Sequence, residues 1–191
     1  MWFQLWRGWC GLMMGLAAAS VSAHPHIWIE SYYQVDVTSP NIQRVEAVWA
    51  FDAFSSNDLL IEFDTNADGR LEKEEKAETA AALRNLEQYG YFLAMQEDGE
   101  ALSADSVQIL DLWVQEDMLH VRLGIVLPEP VNVQQHTLRL GFGDPENYFA
   151  MVIPDTGLIK LTGTLAELCT PTPAAAEAIY MEGWVDLSCD K

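Results

Sequence analysis

The chain has 191 residues, with 10 basic and 29 acidic side chains and a formal net charge of −19 at pH 7. A surface with this excess of negative charge repels phosphate groups, so nucleic acids and anionic lipids are excluded as partners. The length is sufficient for one compact domain with a hydrophobic core.

The first 23 residues have the features of a secretory signal peptide. They contain one basic residue, Arg7, and no acidic residue, and the apolar run Gly11–Ala19 is followed by the small-x-small sequence Val21–Ala23. We expect cleavage after Ala23 and export to the periplasm. Loss of Arg7 leaves 9 basic and 29 acidic residues in the mature chain 24–191, a net charge of −20. The apolar run is shorter than the ~20 residues of a membrane-spanning helix, so no transmembrane segment is expected after processing. An uncleaved N-terminal anchor is the alternative.

The expected mature N-terminus, His24-Pro25-His26, offers several nitrogen ligands for a metal. His24 provides its α-amine and imidazole, and His26 lies on the same side if it begins a strand, because strand side chains repeat with period two. This set suits Cu²⁺, Ni²⁺, Co²⁺ or Zn²⁺. Pro25 has no N–H, which blocks a square-planar motif built on deprotonated backbone amides. A solvated terminus without metal is the alternative, and His120 or His136 could add a ligand.

The next segments predict a β-hairpin followed by two helices. Ile27–Val37 and Ile42–Phe51 are rich in β-branched and aromatic residues and are separated by a Ser-Pro-Asn turn. Helices are predicted for Asp52–Phe63 and from about Glu72 to Gln88. With the loop between them they would form an EF-hand-like helix-loop-helix inserted at about residues 52–89.

Residues 64–75 match the calcium-loop pattern D-x-[DN]-x-[DN]-G-x₅-E at every defined position. Ca²⁺ takes about 6–8 oxygen ligands. The predicted ligands are the side chains of Asp64, Asn66 and Asp68, the carbonyl of Arg70, Glu72 through a water, and both carboxylate oxygens of Glu75. Gly69 permits the sharp turn, and Leu71 is expected to pack inward. Mg²⁺ fits less well because it retains its waters in a tight octahedral shell, and a polar turn without metal is the alternative. The loop has no second copy in the chain, which favours a structural role for the ion.

Beyond residue 90 the pattern changes to that of short strands. The predicted strands are Tyr91–Gln96, Ser106–Gln115, Met118–Leu127, His136–Gly143, Tyr148–Ile153, Leu158–Thr164 and a last one near Tyr180–Leu187. This spacing predicts a mainly β (α+β) fold, an antiparallel β-sandwich-like single domain of residues 24–191 with the helical insertion. Cys169 and Cys189 remain once Cys10 leaves with the leader, and an even number in an oxidising compartment predicts a disulfide bond.

Several of these motifs together resemble domain-of-unknown-function family 1007. The matching stretches are Ala23–Glu30 (AHPHIWIE), Val48–Asp52 (VWAFD), Asp64–Glu75, Glu87–Phe92 (EQYGYF) and Asp144–Phe149 (DPENYF). The family is described as the periplasmic component of an uncharacterised transport system, with members often found beside nickel/cobalt-type or other metal permeases. The resemblance implies a metal-handling accessory role and carries over to the His-Pro-His terminus and the acidic loop.

The expected function is that of an exported accessory protein that binds Ca²⁺ at the loop, holds a transition metal at its N-terminus and assists an inner-membrane metal permease. The alternative is a calcium-dependent protein-interaction module without a transition metal. The chain contains no Ser/His/Asp or Cys/His arrangement that indicates a catalytic site, so we expect no enzyme. A copper oxidase with a histidine brace is the remaining enzymatic alternative.

Overall fold

Residues 27–191 are described by a computed structural model, and their core lies between two β-sheets. The predicted signal peptide, Cys10, His24 and His26 lie outside the described residues. The strands of the described part are β1 (Ile27–Asp36), β2 (Asn41–Phe51), β3 (Leu93–Glu97), β4 (Glu100–Ala101), β5 (Ser106–Gln115), β6 (Met118–Asn132), β7 (Leu138–Phe142), β8 (Phe149–Val152), β9 (Ile159–Thr162), β10 (Cys169–Ala175) and β11 (Gly183–Cys189). The helices are α1 (Ala53–Phe63), α2 (Lys73–Leu83) and two 3₁₀ segments, Arg84–Phe92 and Ala166–Leu168. The prediction of a mainly β chain with helices on both sides of residues 64–72 is confirmed.

The first sheet has the strand order β5-β6-β2-β1-β8, and β9 also pairs with β1 further along its length. The pairs among β1, β2, β5 and β6 are antiparallel, as expected for successive hairpins. The pairs of β1 with β8 and β9 are parallel, which corrects the expectation of a purely antiparallel fold. Alternation of apolar residues predicts which face of a strand is buried, but it carries no information on strand direction.

The second sheet has the order β10-β11-β7-β3-β4 and is antiparallel throughout. Its edge strand β10 was not predicted, because Pro171 and Pro173 lie within it. Proline lacks an N–H to donate and is tolerated at a sheet edge. Similarly, β6 continues through Pro128 and Pro130, where its register with β2 shifts by a bulge.

Tyr33 joins the two sheets across the core. Its side chain is buried, its hydroxyl donates a hydrogen bond to the carbonyl of Gly141 at 2.8 Å, and its ring stacks on Phe142 at a centroid distance of 4.3 Å. Burial raises the pKa of Tyr33 well above its ordinary value. The predicted disulfide is confirmed, since Cys169 and Cys189 are bonded and lie opposite each other in the β10–β11 pair.

The predicted second helix is shorter than expected. Its α-helical part ends at Leu83, and the chain continues as a 3₁₀ segment in which Tyr91 and Phe92 have positive φ angles. Both side chains are buried beside Trp49, at centroid distances of 6.2 and 6.3 Å. β3 therefore begins at Leu93, two residues later than predicted. No helix within residues 27–191 has the length and apolar character required to cross a membrane.

Candidate metal centre

The helix that leads into the acidic loop is fixed at its start by Asp52. Its Oδ1 accepts hydrogen bonds from the backbone N–H groups of Phe54 and Ser55, both at 2.9 Å, which caps α1. Its Oδ2 accepts one from the N–H of Trp28 at 3.0 Å, so the same carboxylate joins α1 to β1. Burial raises the pKa of Asp52, but the hydrogen bonds from Ser55, Trp28 and Phe54 together outweigh it and lower the pKa overall.

A buried hydroxyl holds α1 against the first sheet. Ser56 donates to the carbonyl of Phe51 at 3.1 Å and accepts a hydrogen bond from the N–H of Leu119 at 2.8 Å. Since Leu119 lies on β6, this contact ties the helix to a strand far away in sequence. The helix that precedes the loop is therefore held in a fixed position on the first sheet.

The first half of the loop is curled by its own side chains. Asp64 accepts hydrogen bonds from the N–H of Gly69 at 2.8 Å and from that of Asp68 at 3.2 Å. Asn66 accepts one from Asp68 N–H, and Asp68 one from Arg70 N–H, both at 2.9 Å. Gly69 has a φ angle of +77°, a conformation that glycine adopts without strain. The predicted ligands Asp64, Asn66 and Asp68 therefore lie on one tight turn.

Glu75 closes the second half of the loop. One carboxylate oxygen accepts hydrogen bonds from the N–H and hydroxyl of Thr65, at 2.8 and 2.7 Å, and the other accepts one from the N–H of Glu72 at 2.9 Å. The residue is 6 % exposed, whereas the rest of the loop apart from Leu71 and the half-buried Asp64 is exposed. The hydrogen bonds from the Glu72 backbone and from Thr65 lower the pKa of Glu75. One ionised carboxylate thus joins the entry of the loop to its exit.

Leu71 anchors the loop to the hydrophobic core. It is 7 % exposed and belongs to the core cluster, so the prediction that it packs inward is confirmed. Its neighbours Arg70 and Glu72, which carry two of the predicted ligands, are exposed. Leu71 is thus the one buried side chain between Thr65 and Glu74.

The donors of the loop fit a hard cation. Asp, Asn and Glu side chains and a backbone carbonyl supply oxygen only, which is the ligand type that Ca²⁺ takes. One oxygen of Glu75 already accepts two hydrogen bonds, both from Thr65. Within residues 27–191, however, no group of three or more His, Cys, Asp or Glu side chains is arranged to hold a metal. The structure thus places the six predicted ligands within the turn at residues 64–70 and the segment that follows it, but their carboxylates do not converge on one metal coordination site.

The two histidines of the described part lie at opposite ends of β6. His120 is near its start and stacks on Trp113 at a centroid distance of 5.0 Å, whereas His136 follows its end. Burial is the largest influence on His120 and lowers its pKa. His136 forms a surface ion pair with Asp98, at 2.7 Å between Nδ1 and Oδ2, and this hydrogen bond raises its pKa. The two side chains are therefore too far apart to bind the same metal ion. His120 lies at the end of the sheet where β1 begins, because it pairs with Ala50, which in turn pairs with Glu30 on β1.

Thr65 is the part of this site that sequence reasoning missed. It occupies a position that the calcium-loop pattern leaves undefined, yet it gives Glu75 two of its three hydrogen bonds. The only signal was its hydroxyl, which can donate to a carboxylate at a loop entry.

Comparison with protein-family models identifies a family. The family model described as "Protein of unknown function (DUF1007)" matches residues 9–182, which is most of the chain. No curated protein matches it.

Proposed function

The chain belongs to the DUF1007 family, and we propose that it is an exported metal-binding accessory protein that binds Ca²⁺ through residues 64–75. In this proposal a transition metal binds at the mature N-terminus, and the protein assists a membrane metal transporter. The observation that carries the calcium assignment is a loop of oxygen donors that is already curled, with Leu71 in the core and Glu75 joining its two ends.

The proposed EF-hand-like unit consists of α1, the loop and α2. Asp64, Asn66 and Asp68 would hold the ion with their side chains, Arg70 with its carbonyl, Glu72 through a water and Glu75 with two oxygens. The ion supplies positive charge, which offsets the repulsion among the carboxylates and so stabilises the positions of α1 and α2. Calcium acts here as a structural element.

Export is supported by two independent features. The first 23 residues carry the signal-peptide pattern, and the disulfide between Cys169 and Cys189 is of the kind that persists in oxidising compartments. The periplasm is the compartment proposed. Cleavage after Ala23 would expose His24 and His26 for Cu²⁺, Ni²⁺, Co²⁺ or Zn²⁺.

Thermal unfolding of the mature protein in EDTA and in ~10 mM CaCl₂ tests the calcium assignment. For a dissociation constant of about 10⁻⁴–10⁻³ M, the ion stabilises the fold by about 1.4–2.7 kcal/mol, which raises Tm by about 3–10 °C. The Glu75→Gln variant should lose this increase. The matched control is Glu78→Gln, which removes the same charge from an exposed position one turn further along α2 and should keep it.

The same preparations test the other parts of the proposal. Native mass spectrometry should show a chain that begins at His24 and takes up one transition-metal ion, and His24→Ala with His26→Ala should abolish that uptake. An equal increase in Tm for the parent and Glu75→Gln would overturn the calcium assignment. Equal metal uptake by the parent and the histidine variants would overturn the N-terminal site.

A further inference from the structure

An apolar groove runs beside the candidate calcium loop. Its first part, with a volume of 480 Å³, lies between α1, α2 and the corner after β7. Its second part, with a volume of 320 Å³, continues along the 3₁₀ segment Arg84–Phe92. The two parts share Leu86, Tyr148 and Phe149. The residues that form its floor and walls are mostly apolar or aromatic, among them Phe54, Leu59, Phe63, Leu83, Leu86 and Phe149.

Several large side chains on this groove are exposed to solvent. Phe54 is 74 % exposed, and Tyr89 and Tyr148 are each close to half exposed. Contiguous exposed apolar surface of this kind marks interaction sites in soluble proteins, whereas single exposed apolar residues are common. The groove is therefore a candidate docking surface.

Hydrogen bonds to a buried carboxylate fix the wall of the groove that is formed by residues 146–149. Asp144 is buried, and its carboxylate accepts hydrogen bonds from the N–H groups of Glu146, Tyr148 and Phe149 at 2.9–3.0 Å. Phe149 also packs against Phe92 at a centroid distance of 4.6 Å. Together with the contacts of Asp52 and Ser56 that fix α1, these bonds preorganise the groove. A preorganised surface loses little conformational freedom when a ligand binds.

The charge at the rim identifies the complementary ligand. Asp58 and Glu62 on α1 line the first part and Glu146 lines the second, and residues 27–191 contribute no Lys or Arg to either lining. All three carboxylates belong to exposed residues. The groove thus has an aromatic floor and an acidic rim, and it suits a ligand with an apolar face flanked by positive charges.

We propose that this groove binds a cationic amphipathic segment of a partner polypeptide, with apolar residues inserted between α1 and the Tyr148–Phe149 corner and Lys or Arg residues at the rim. Insertion of such a helix into an apolar groove is a common mode of peptide recognition. The inference rests on the proposed accessory role only in requiring a protein partner. The groove and the candidate calcium loop share two elements, because α1 and α2 flank the loop and also form two walls of the groove.

The test uses the mature protein and a fluorescent 18-residue Leu/Lys peptide designed as an amphipathic helix. A Ser/Lys peptide of equal charge measures attraction to the acidic surface alone. Binding is followed by fluorescence anisotropy at ~150 mM salt, where exposed charges are largely screened beyond about 8 Å. We expect the Leu/Lys peptide to bind at least about tenfold more tightly than the Ser/Lys peptide, because only it can fill the apolar floor.

Matched variants locate the binding site. Phe54→Ser should weaken binding of the Leu/Lys peptide by about tenfold or more, the effect typical of a central aromatic contact. Ile61→Ser is its control, since Ile61 is 76 % exposed on the same helix but does not line the groove. Paired Asp58→Lys and Glu62→Lys substitutions should also weaken binding, whereas Glu78→Lys, on the exposed surface of α2, should not.

Equal affinity of the parent, Phe54→Ser and Ile61→Ser for the Leu/Lys peptide would overturn the proposal. It would also be overturned if the protein itself, without peptide, bound to phosphatidylcholine vesicles and Phe54→Ser abolished that binding, which would identify a lipid surface as the occupant. Conversion of a dimer of the protein into monomers by Phe54→Ser would overturn it as well, because the occupant would then be a second copy of the chain. Peptide binding by Glu75→Gln in EDTA supports the groove independently of calcium. A calcium-saturated parent that does not bind the peptide overturns the groove and leaves the calcium assignment intact.

Discussion

Glu75 accepts hydrogen bonds at both ends of the acidic loop, so its ionised carboxylate stabilises the closed loop. Its pKa in the folded protein lies below the ordinary value of 4.5. The stabilisation is therefore fully present above pH 4.5 and is lost as the pH falls through the lowered folded-state pKa. In EDTA, the difference in Tm between the parent and Glu75→Gln should shrink as the pH is lowered from 6 to 3.

The appropriate comparison for this pH series is again Glu78→Gln. Other carboxylates with lowered pKa values, such as Asp52 and Asp98, are present in all three proteins and cancel in the difference. A difference between the parent and Glu75→Gln that stays constant down to pH 3 would show that the Glu75 carboxylate does not stabilise the loop.

Sequence reasoning at the level of single residues succeeded where a pattern assigned a role. Leu71 was predicted to pack inward because calcium loops place an apolar residue there, and it is buried. Thr65 was missed because its contact with Glu75 joins residues ten positions apart, and only the folded loop brings them together. Asp144 was noted as part of a family-like motif, but the three backbone N–H groups that it binds become visible only in the structure.

At the scale of elements, α1 is capped at its N-terminus by Asp52. The Asp52→Ala variant removes the N-cap and the tie to Trp28, and we expect a loss of about 1–2 kcal/mol in the free energy of unfolding. Asp58→Ala, at an exposed position on the same helix, should change it by less than about 0.5 kcal/mol. Urea unfolding measures both values. Equal losses in the two variants would mean that the cap contributes nothing beyond its charge.

The elements that were predicted correctly are those whose signals are local. The hairpin of β1 and β2, the helix α1, and the strands β5 and β6 follow from the apolar pattern and from turn residues close in sequence. β10 was missed because prolines argue against a strand, and only its position at the sheet edge makes them acceptable. The groove was missed for a similar reason, since its walls come from segments more than 80 residues apart in the chain, such as Phe54 and Phe149.

At the scale of the whole molecule, the disulfide joins the last strand to the edge of the second sheet. Its two cysteines are 20 residues apart, and closing a loop of that length stabilises the fold by about 3 kcal/mol in the chain-entropy model. The double variant Cys169→Ser/Cys189→Ser should lower the urea midpoint by a corresponding amount. Addition of reductant should produce the same midpoint in the parent, with no further change in the variant. A midpoint in the variant equal to that of the oxidised parent would contradict this prediction.

β1 acquires its partners on one side only late in synthesis. Ile27 pairs with Phe149 and Tyr33 with Ile159, so these contacts join residues 122 and 126 positions apart. Contacts over such distances form slowly, because the intervening chain must first be brought together. If the chain is exported through a channel with its N-terminus first, the outer edge of β1 lacks its β8 partner until residue 152 has emerged and its β9 partner until residue 162 has emerged. The first sheet would then be completed only when most of the chain has crossed, so the part still in the channel would remain extended.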